Sequence, residues 1–428
     1  MADFDVIVVG AGPAGATAAY ELAKAGKSVL IVERGNFAGA KNMTGGRIYT
    51  HSLAQVFPDF KDTAPLERQI TQERISMMAP DANLTIGFSS EQLSAAGCES
   101  YSVLRASFDQ WLAEQAEEAG AECIYGIPVE ALLKENGFVV GVRAGEDEIT
   151  AELVILADGC NSLLTEEAVG ASRPQAHQMA VGIKQIIGLP TKVIEDRMLA
   201  AEGEGAAWLF MGDTTKGQVG GGFIYPNKES LSIGIVATIS SLASAKTPLY
   251  QMLEDFKRRP EIAPLLRDGE PLEHSGHMVP EGGYKMMPKL SANGVLLAGE
   301  SAMMCVNLGY QVRGMDYAIA AGMYAGRTAV EALDKGDTSE STLASYEEAL
   351  KGSFVLQDLE QFKRFPHYME ETTRLFNEYP AMVKNIFNGL FVVDGSPVKP
   401  LKQQIMPSVK SVGLMNIFKD ARGAMKSL

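Results

Sequence analysis

The strongest constraint on this 428-residue chain is its first 35 residues, which read as strand, glycine-rich turn, helix and second strand closing on an acid. The strand is Asp5-Val6-Ile7-Val8-Val9 and the turn is Gly10-Ala11-Gly12-Pro13-Ala14-Gly15. The helix runs from Ala16 to about Ala25, with Gly26 as its left-handed stop. Ser28-Val29-Leu30-Ile31-Val32 is the second strand, and Glu33 follows. Gly10 permits the tight turn, Gly12 lets a pyrophosphate come against the backbone, and Gly15 lets helix and strand pack closely. The phosphates then sit at the positive end of the helix dipole. Glu33, 18 residues beyond Gly15, stands where a carboxylate accepts hydrogen bonds from an adenosine ribose. A glycine pattern alone is weak; with strand, helix, strand and acid around it, it points to a bound dinucleotide.

The length exceeds what one hydrophobic core usually spans, so two or three subdomains are expected. A net charge of −15 argues against nucleic acid as a partner, because phosphate binding needs a basic surface. The acidity is uneven. Residues 399–428 carry Lys399, Lys402, Lys410, Lys419, Arg422 and Lys426 against the single acid Asp420. Such a basic, partly apolar stretch suits an anionic lipid surface or an acidic protein, or simply a solvated terminal helix. Asp3 and Asp5 stand where a secretory signal has basic residues, and no apolar run reaches 18 residues. The expectation is a cytoplasmic protein, with peripheral attachment to the cytoplasmic membrane face allowed.

Cys98, Cys123, Cys160 and Cys305 are scattered, which by spacing excludes a local zinc or iron–sulfur site and reads as reduced thiols. Further along, Ser107 with Gln110 three residues later predicts a capped helix over Phe108, Trp111, Leu112, Ala116 and Ala119, stopped by Gly120. Leu153-Val154-Ile155-Leu156-Ala157 is an apolar run closed by Asp158-Gly159, the pattern of a buried parallel strand with a ligand at its carboxyl end. From about Ser172 to His277 alternating strands take over, and residues 220–228 lead into Leu231–Val236 as an antiparallel pair. Gly294-Val295-Leu296-Leu297-Ala298-Gly299-Glu300 is a third buried strand ending in glycine and acid, followed by a helix around Met315 to Leu333. Beyond Asp334 the chain reads as helical.

Three strand-to-ligand signals, Gly10–Gly15, Asp158-Gly159 and Gly299-Glu300, together with Arg105, resemble the FAD-binding fold of the aromatic-hydroxylase and geranylgeranyl-reductase superfamily. Within it the chain most resembles the FixC-type, electron-transfer-flavoprotein:quinone oxidoreductase family. The stretches that carry this are GAGPAGATAA, IVERGNFAGAKNMTGGRIY, SVLRASFDQWLAEQAEEAGA, VILADGCNS and LGYQVRGMDYAIAAG. The resemblance covers essentially the whole chain, and AGAKNMTGGR is far more specific than the glycine motif.

The resemblance implies an α/β (α+β) fold: a Rossmann-like FAD-binding domain in three parts (1–80, 101–171 and 278–334), an antiparallel-sheet substrate domain (an excursion at 81–100, then 172–277) and a helical C-terminal region (335–428). It implies that Gly10, Gly12, Ala14, Gly15, Glu33 and Arg34 hold the adenosine diphosphate half of FAD and that the backbone of Val129 meets the adenine. Arg105, Gly299 and Glu300 fall to the pyrophosphate and ribityl chain, and Asp158 and Gly159 are further cofactor contacts. Gly45, Gly46, Asn307 and Gly309 fall to the flavin ring, with Asn307-Leu308-Gly309 near its pyrimidine side. Backbone amides there favour negative charge on the reduced ring. Tyr225 and Pro226 are expected to bound a substrate pocket.

Two departures from the family pattern follow. Glu300 replaces the usual aspartate, which keeps the charge and lengthens its reach. No cysteine follows Cys305, so the four-cysteine cluster of full-length quinone oxidoreductases is missing. The implied reaction is electron transfer from a two-subunit electron-transfer flavoprotein through FAD to a quinone. A separate ferredoxin-like iron–sulfur subunit would supply the cluster, and electron bifurcation by the assembly is a further implication of the resemblance. The alternatives are a prenyl-lipid reductase of geranylgeranyl type, suggested by Phe223-Ile224-Tyr225-Pro226, and a flavin-binding subunit whose cofactor does not turn over. A flavin relay needs no acid/base dyad, and none is evident. His274 and His277 are too close to Pro271, Gly276 and Pro280 to share a helix face, so no metal site is expected. Cys305 reads as a buried thiol near the flavin, and the aromatics after Phe354 as core or as a quinone path.

Overall fold

The computed structural model describes residues 2–42 and 46–428; Gly45 lies outside them. The first sheet runs β16 (Ser291–Ala292), β17 (Val295–Leu297), β10 (Asp147–Leu156), β1 (Phe4–Val9), β2 (Val29–Glu33), β7 (Glu122–Tyr125). It is parallel from β17 to β7. Its strands are near-continuous apolar runs because both faces are covered: Val6 to Val9, Leu153 to Leu156 and Val295 to Leu297 are all buried. The strands β8 (Val129–Glu135) and β9 (Phe138–Ala144) form an antiparallel meander with the first half of β10. Helix α1 (Pro13–Lys24) packs against α2 (Arg105–Glu118) and along α5 (Met315–Lys335). The approach to α5 is close enough that a Cβ on Gly322 would stand 2.2 Å from the Ala14 carbonyl oxygen.

Helix α2 opens three residues earlier than the capping pattern predicts. Leu104 is its N-cap and no side chain caps it. Arg105 instead clamps the first turn by a bidentate pair with Asp109, 2.7 Å in both bonds, while Gln110 turns back to the Ala106 carbonyl.

The second sheet runs β15 (Glu270–Pro280), β11 (Met179–Gly188), β14 (Ser230–Thr238), β13 (Gly220–Pro226), β12 (Glu204–Gly212), β4 (Leu66–Ala79), β6 (Ser100–Val103), β3 (Gly46–Tyr49), with β5 (Ala82–Ser89) on β4. All its pairings are antiparallel except β12 with β4. Residues 46–49 and 66–79, placed by the sequence in the first FAD-binding segment, are therefore strands of this sheet, as are residues 100–103. Arg68 shows why. It is 1% exposed, and its guanidinium donates to the carbonyls of Asn227 (2.7 Å), Lys228 (3.0 Å) and Glu204 (3.2 Å) and to Glu195 (3.1 Å). An arginine carries no strand signal of its own, yet here it ties β4 to the far side of the sheet. Helices α3 (Thr191–Met198) and α4 (Leu249–Lys257) close the core on that side with Ile194, Met198, Met252 and Phe256.

Past α5 the chain is helical: α6 (Glu340–Lys351), α7 (Phe354–Gln361), α8 (Phe365–Glu371), α9 (Glu378–Phe391), α10 (Leu401–Val412) and α11 (Leu414–Ser427). Asp420 of α11 turns inward to a bidentate pair with Arg374 (2.6 and 2.7 Å) and a bond from the Tyr379 hydroxyl (2.8 Å). The six cations of residues 399–428 are all exposed, as are Leu414, Met415, Phe418 and Met425. Among the described residues, no helix is long and apolar enough to cross a membrane.

Candidate functional site

Parallel register decides where the three strand-end signals go. Val9 stands beside Leu156 and Val32, and Leu156 beside Leu297, so Gly10, Glu33, Asp158 and Gly299 leave the sheet at one edge. Ligands bind at this edge of open parallel sheets. Gly10 has φ +98°, and a Cβ there would meet the Ala157 carbonyl oxygen at 2.6 Å. A Cβ on Gly15 would stand 1.9 Å from the Gly10 carbonyl oxygen, which fixes this residue as the contact between helix and strand. A Cβ on Gly12 would meet no protein atom, and Gly12 faces open space in the cleft. Glu33 is buried, its carboxylate accepting from the amides of Ala11 (2.9 Å) and Gly35 (2.6 Å).

The second and third signals are laced together by Ser301, which sequence reading missed. Its hydroxyl donates to Asp158 (2.9 Å) and accepts from the Gly159 amide (2.9 Å). Burial pushes the Asp158 pKa up, against the bonds from Ser162 and Ser301.

A cleft of about 740 Å³ runs from this cradle between the two sheets to the C-terminal helices. Of the residues singled out in the sequence, Gly10, Gly12, Ala14, Glu33, Arg34, Gly46, Arg105, Val129, Asp158, Gly159, Tyr225, Glu300, Asn307 and Gly309 line it. Gly15 and Gly299 lie behind the wall; a Cβ on Gly299 would touch that of Ala14 at 2.9 Å. Pro226 does not line the cleft, because side chains alternate along β13. Tyr225 faces in, stacked on Phe223 at 5.3 Å, while Pro226 is buried so tightly that a Cβ on Gly205 would lie 2.3 Å from its ring.

Midway, Asp109 holds Arg105 and also accepts from the Asn42 amide (2.7 Å), so a buried acid sets the arginine's direction. Only its helical spacing from Arg105 could have flagged it. Cys160, His277 and Glu300 converge there, their ligand atoms within 4.8 Å of one another. His274, also on β15, lies instead beside Gln185 (3.4 Å). The Cys160 thiol donates to the Met278 carbonyl at 2.8 Å, and burial pushes its pKa up. At the far end Asn307 accepts from the Gly309 amide (3.0 Å) and donates to Glu281 (3.3 Å). Beyond them Phe365, Pro366, Tyr368, Phe376 and Leu428 form an apolar wall.

The residues present fit a flavin dinucleotide: a turn with no room for a side chain, a carboxylate for a ribose, and a volume in the range of cofactor sites. The profile described as FAD dependent oxidoreductase matches residues 5–182, and the one described as ETF-QO/FixC family C-terminal domain matches residues 365–428. The chain is 47% identical over 417 residues, 97% of either chain, to the probable electron transfer flavoprotein-quinone oxidoreductase YdiS of Escherichia coli K12. The chain belongs to the ETF-QO/FixC family. Protein FixC of Salmonella typhi shares 47% over the same length. Among solved structures, a geranylgeranyl bacteriochlorophyll reductase-like protein of Thermoplasma acidophilum superposes with a TM-score of 0.71 at 22% identity, covering 98% of this chain and 99% of its own, which shows the shared fold. This ETF-QO/FixC family member is thus an FAD-dependent oxidoreductase. FAD supplies the redox chemistry; the chain binds and orients it and sets its electrostatic surroundings.

Proposed function

We propose that this protein takes electrons from an electron-transfer flavoprotein and delivers them through FAD to a quinone. The observation that carries the proposal is 47% identity along 97% of the chain to a protein whose name states that reaction. The cleft supports it, since it joins a nucleotide cradle to an apolar, aromatic end. Gly10, Gly12, Ala14, Gly15, Glu33 and Arg34 hold the adenosine diphosphate and the Val129 backbone meets the adenine. Arg105, Gly299 and Glu300 serve the pyrophosphate and ribityl chain, and Asp158 and Gly159 are further cofactor contacts. Gly46, Asn307 and Gly309 flank the ring, and Tyr225 bounds the quinone pocket. A ferredoxin-like iron–sulfur subunit is a further partner in this reading. The assembly bifurcates electrons from NADH, this subunit serving the quinone branch. The exposed cations and apolar side chains of α10 and α11 bring the protein to an anionic membrane face.

Affinity capture of the tagged protein from its host, with a visible spectrum and subunit identification, tests this reading. Flavin bands with added iron–sulfur absorbance and both electron-transfer-flavoprotein subunits support the relay, and NADH-driven quinone reduction by that complex supports bifurcation. A lone yellow protein that reduces an isoprenoid double bond overturns the relay in favour of prenyl-lipid reduction, for which the Phe223–Tyr225 stack would serve as the wall.

A further inference from the structure

Glu281 was not singled out in the sequence. It follows the last residue of β15 and is pinned by its own amide, which donates to the Gln178 carbonyl at 2.7 Å. Half-buried, it opens onto the cleft. Among the described residues the carboxyl's one hydrogen-bonding partner is Asn307, whose amide donates at 3.3 and 3.4 Å. No cation pairs with it there. Glu281 also lines a small neighbouring void of about 10 Å³, room for a single water. That void is lined by Cys305 and Asn307 on one side and by Leu359, Phe362 and Phe365 of the C-terminal helices on the other.

Only Glu281 and Cys305 titrate among the residues lining the void, and α7 and α8 present apolar side chains to it. Burial pushes the Cys305 thiol up, with Glu300 and Glu281 adding to the effect, so it stays neutral. Burial likewise raises the Glu281 pKa to about 7, against the bond from Asn307. The carboxyl therefore holds a proton near neutrality and releases it readily. It stands where the Asn307–Gly309 loop meets the aromatic end of the cleft.

We propose that Glu281 hands a proton to the quinone as it is reduced, an inference that rests on the quinone reading above. Conversion of a quinone to its quinol takes two electrons and two protons. Reduced FAD, held in the cradle, would supply both electrons and one proton and be oxidised in doing so. The second proton comes from Glu281, whose O–H bond breaks as an O–H bond forms on the quinone. The carboxylate left behind is reprotonated by water held in the neighbouring void and exchanged with solvent. Asn307 keeps its amide turned to Glu281 because its oxygen is already committed to Gly309.

The test mixes the reduced holoprotein, without oxygen, with a short-chain benzoquinone or with ferricyanide, which takes one electron and no proton. Glu281→Gln keeps the shape and removes the proton; Glu281→Asp restores it on a shorter arm. The ratio of quinone to ferricyanide rates is expected to fall about 100-fold in Glu281→Gln at pH 6 and to recover in part in Glu281→Asp. In the wild type the ratio falls as pH rises through about 7. Infrared difference spectra of the holoprotein should show a protonated-carboxyl band that titrates over the same range and is absent from Glu281→Gln. A ratio unmoved by Glu281→Gln, or no such band, overturns this proposal alone. A wild type that reduces ferricyanide and no quinone overturns the quinone reading, and this proposal with it.

Discussion

The two ends of the cleft are made of different material. At the nucleotide end the wall is main chain, with Gly10, Gly12 and Gly159 delivered to one edge by the register of β1, β10 and β17. At the other end the wall is side chains from residues 220–225, 277–281, 365–376 and 424–428, which only tertiary packing brings together. The close main-chain approaches at Gly10 and Gly15 admit no Cβ. A side-chain wall is sensitive instead to side-chain chemistry, so substitutions should separate the two ends.

The largest effect belongs to the cradle. Gly15→Val places a branched side chain where even a Cβ would meet the Gly10 carbonyl at 1.9 Å, so strand and helix must part. The expected outcome is a colourless protein, with stability lowered by on the order of 3 kcal/mol or more, read from flavin absorbance and urea unfolding. Flavin retained at the wild-type level would refute the main-chain account. Next comes Arg68→Ala in the second sheet, which removes the ion pair to Glu195 and the bonds to four carbonyls, those of Asn227, Lys228, Glu204 and Thr191. Breaking a buried pair from one side costs about 3–5 kcal/mol. Urea unfolding should show the loss while FAD stays bound at 25 °C; equal loss of flavin would mean that the two ends are not separable.

The same contrast explains what could be read from the chain alone. The cradle was legible because each of its parts is local: a buried run, then glycine or acid, three times over, with parallel pairing placing the ends together. The second sheet was legible only in the excursion at 81–100 and from residue 172 on. Its strand over 66–79 forms a local hairpin with β5, but its place beside β12 is specified by Arg68 and by partners more than a hundred residues away, which leave no local pattern. Ser301, Asp109 and Glu281 went unseen for a related reason. Serine, aspartate and glutamate are common in loops and on helix faces, and what marks these three is a partner in space. Pro226 shows the reverse error, since a motif match ignored that neighbours on a strand face opposite ways.

A smaller effect probes the C-terminal cover of the apolar end. Bonds from Arg374, and also from Tyr379, hold the Asp420 pKa below its usual value against the opposing effect of burial. A depressed folded pKa means that the stabilisation is complete above the unfolded value, about 3.9, and disappears as pH falls through the folded one. Acid should therefore loosen α11 before the parallel sheet, seen as earlier hydrogen exchange over 414–427. Asp420→Asn should do so at neutral pH, costing about 2 kcal/mol with the FAD content unchanged.

The smallest effect lies on the outer surface of that cover. Because Asp420 is turned inward, the only acid among residues 399–428 does not offset the six exposed cations around it. Replacing Lys410, Lys419, Arg422 or Lys426 singly by glutamine leaves the fold and the flavin untouched. At an anionic vesicle each charge contributes about 1 kcal/mol, so each replacement should weaken binding about fivefold in flotation assays, and the four together should release the protein. Added salt should produce the same release, because exposed charges are screened within about 10 Å at 0.1 M. Binding that survives both the fourfold replacement and salt would shift the contact to Leu414, Met415, Phe418 and Met425. The apolar end of the cleft, which Leu428 helps to line, would then lie beside a surface that is held by burial of apolar side chains and not by charge.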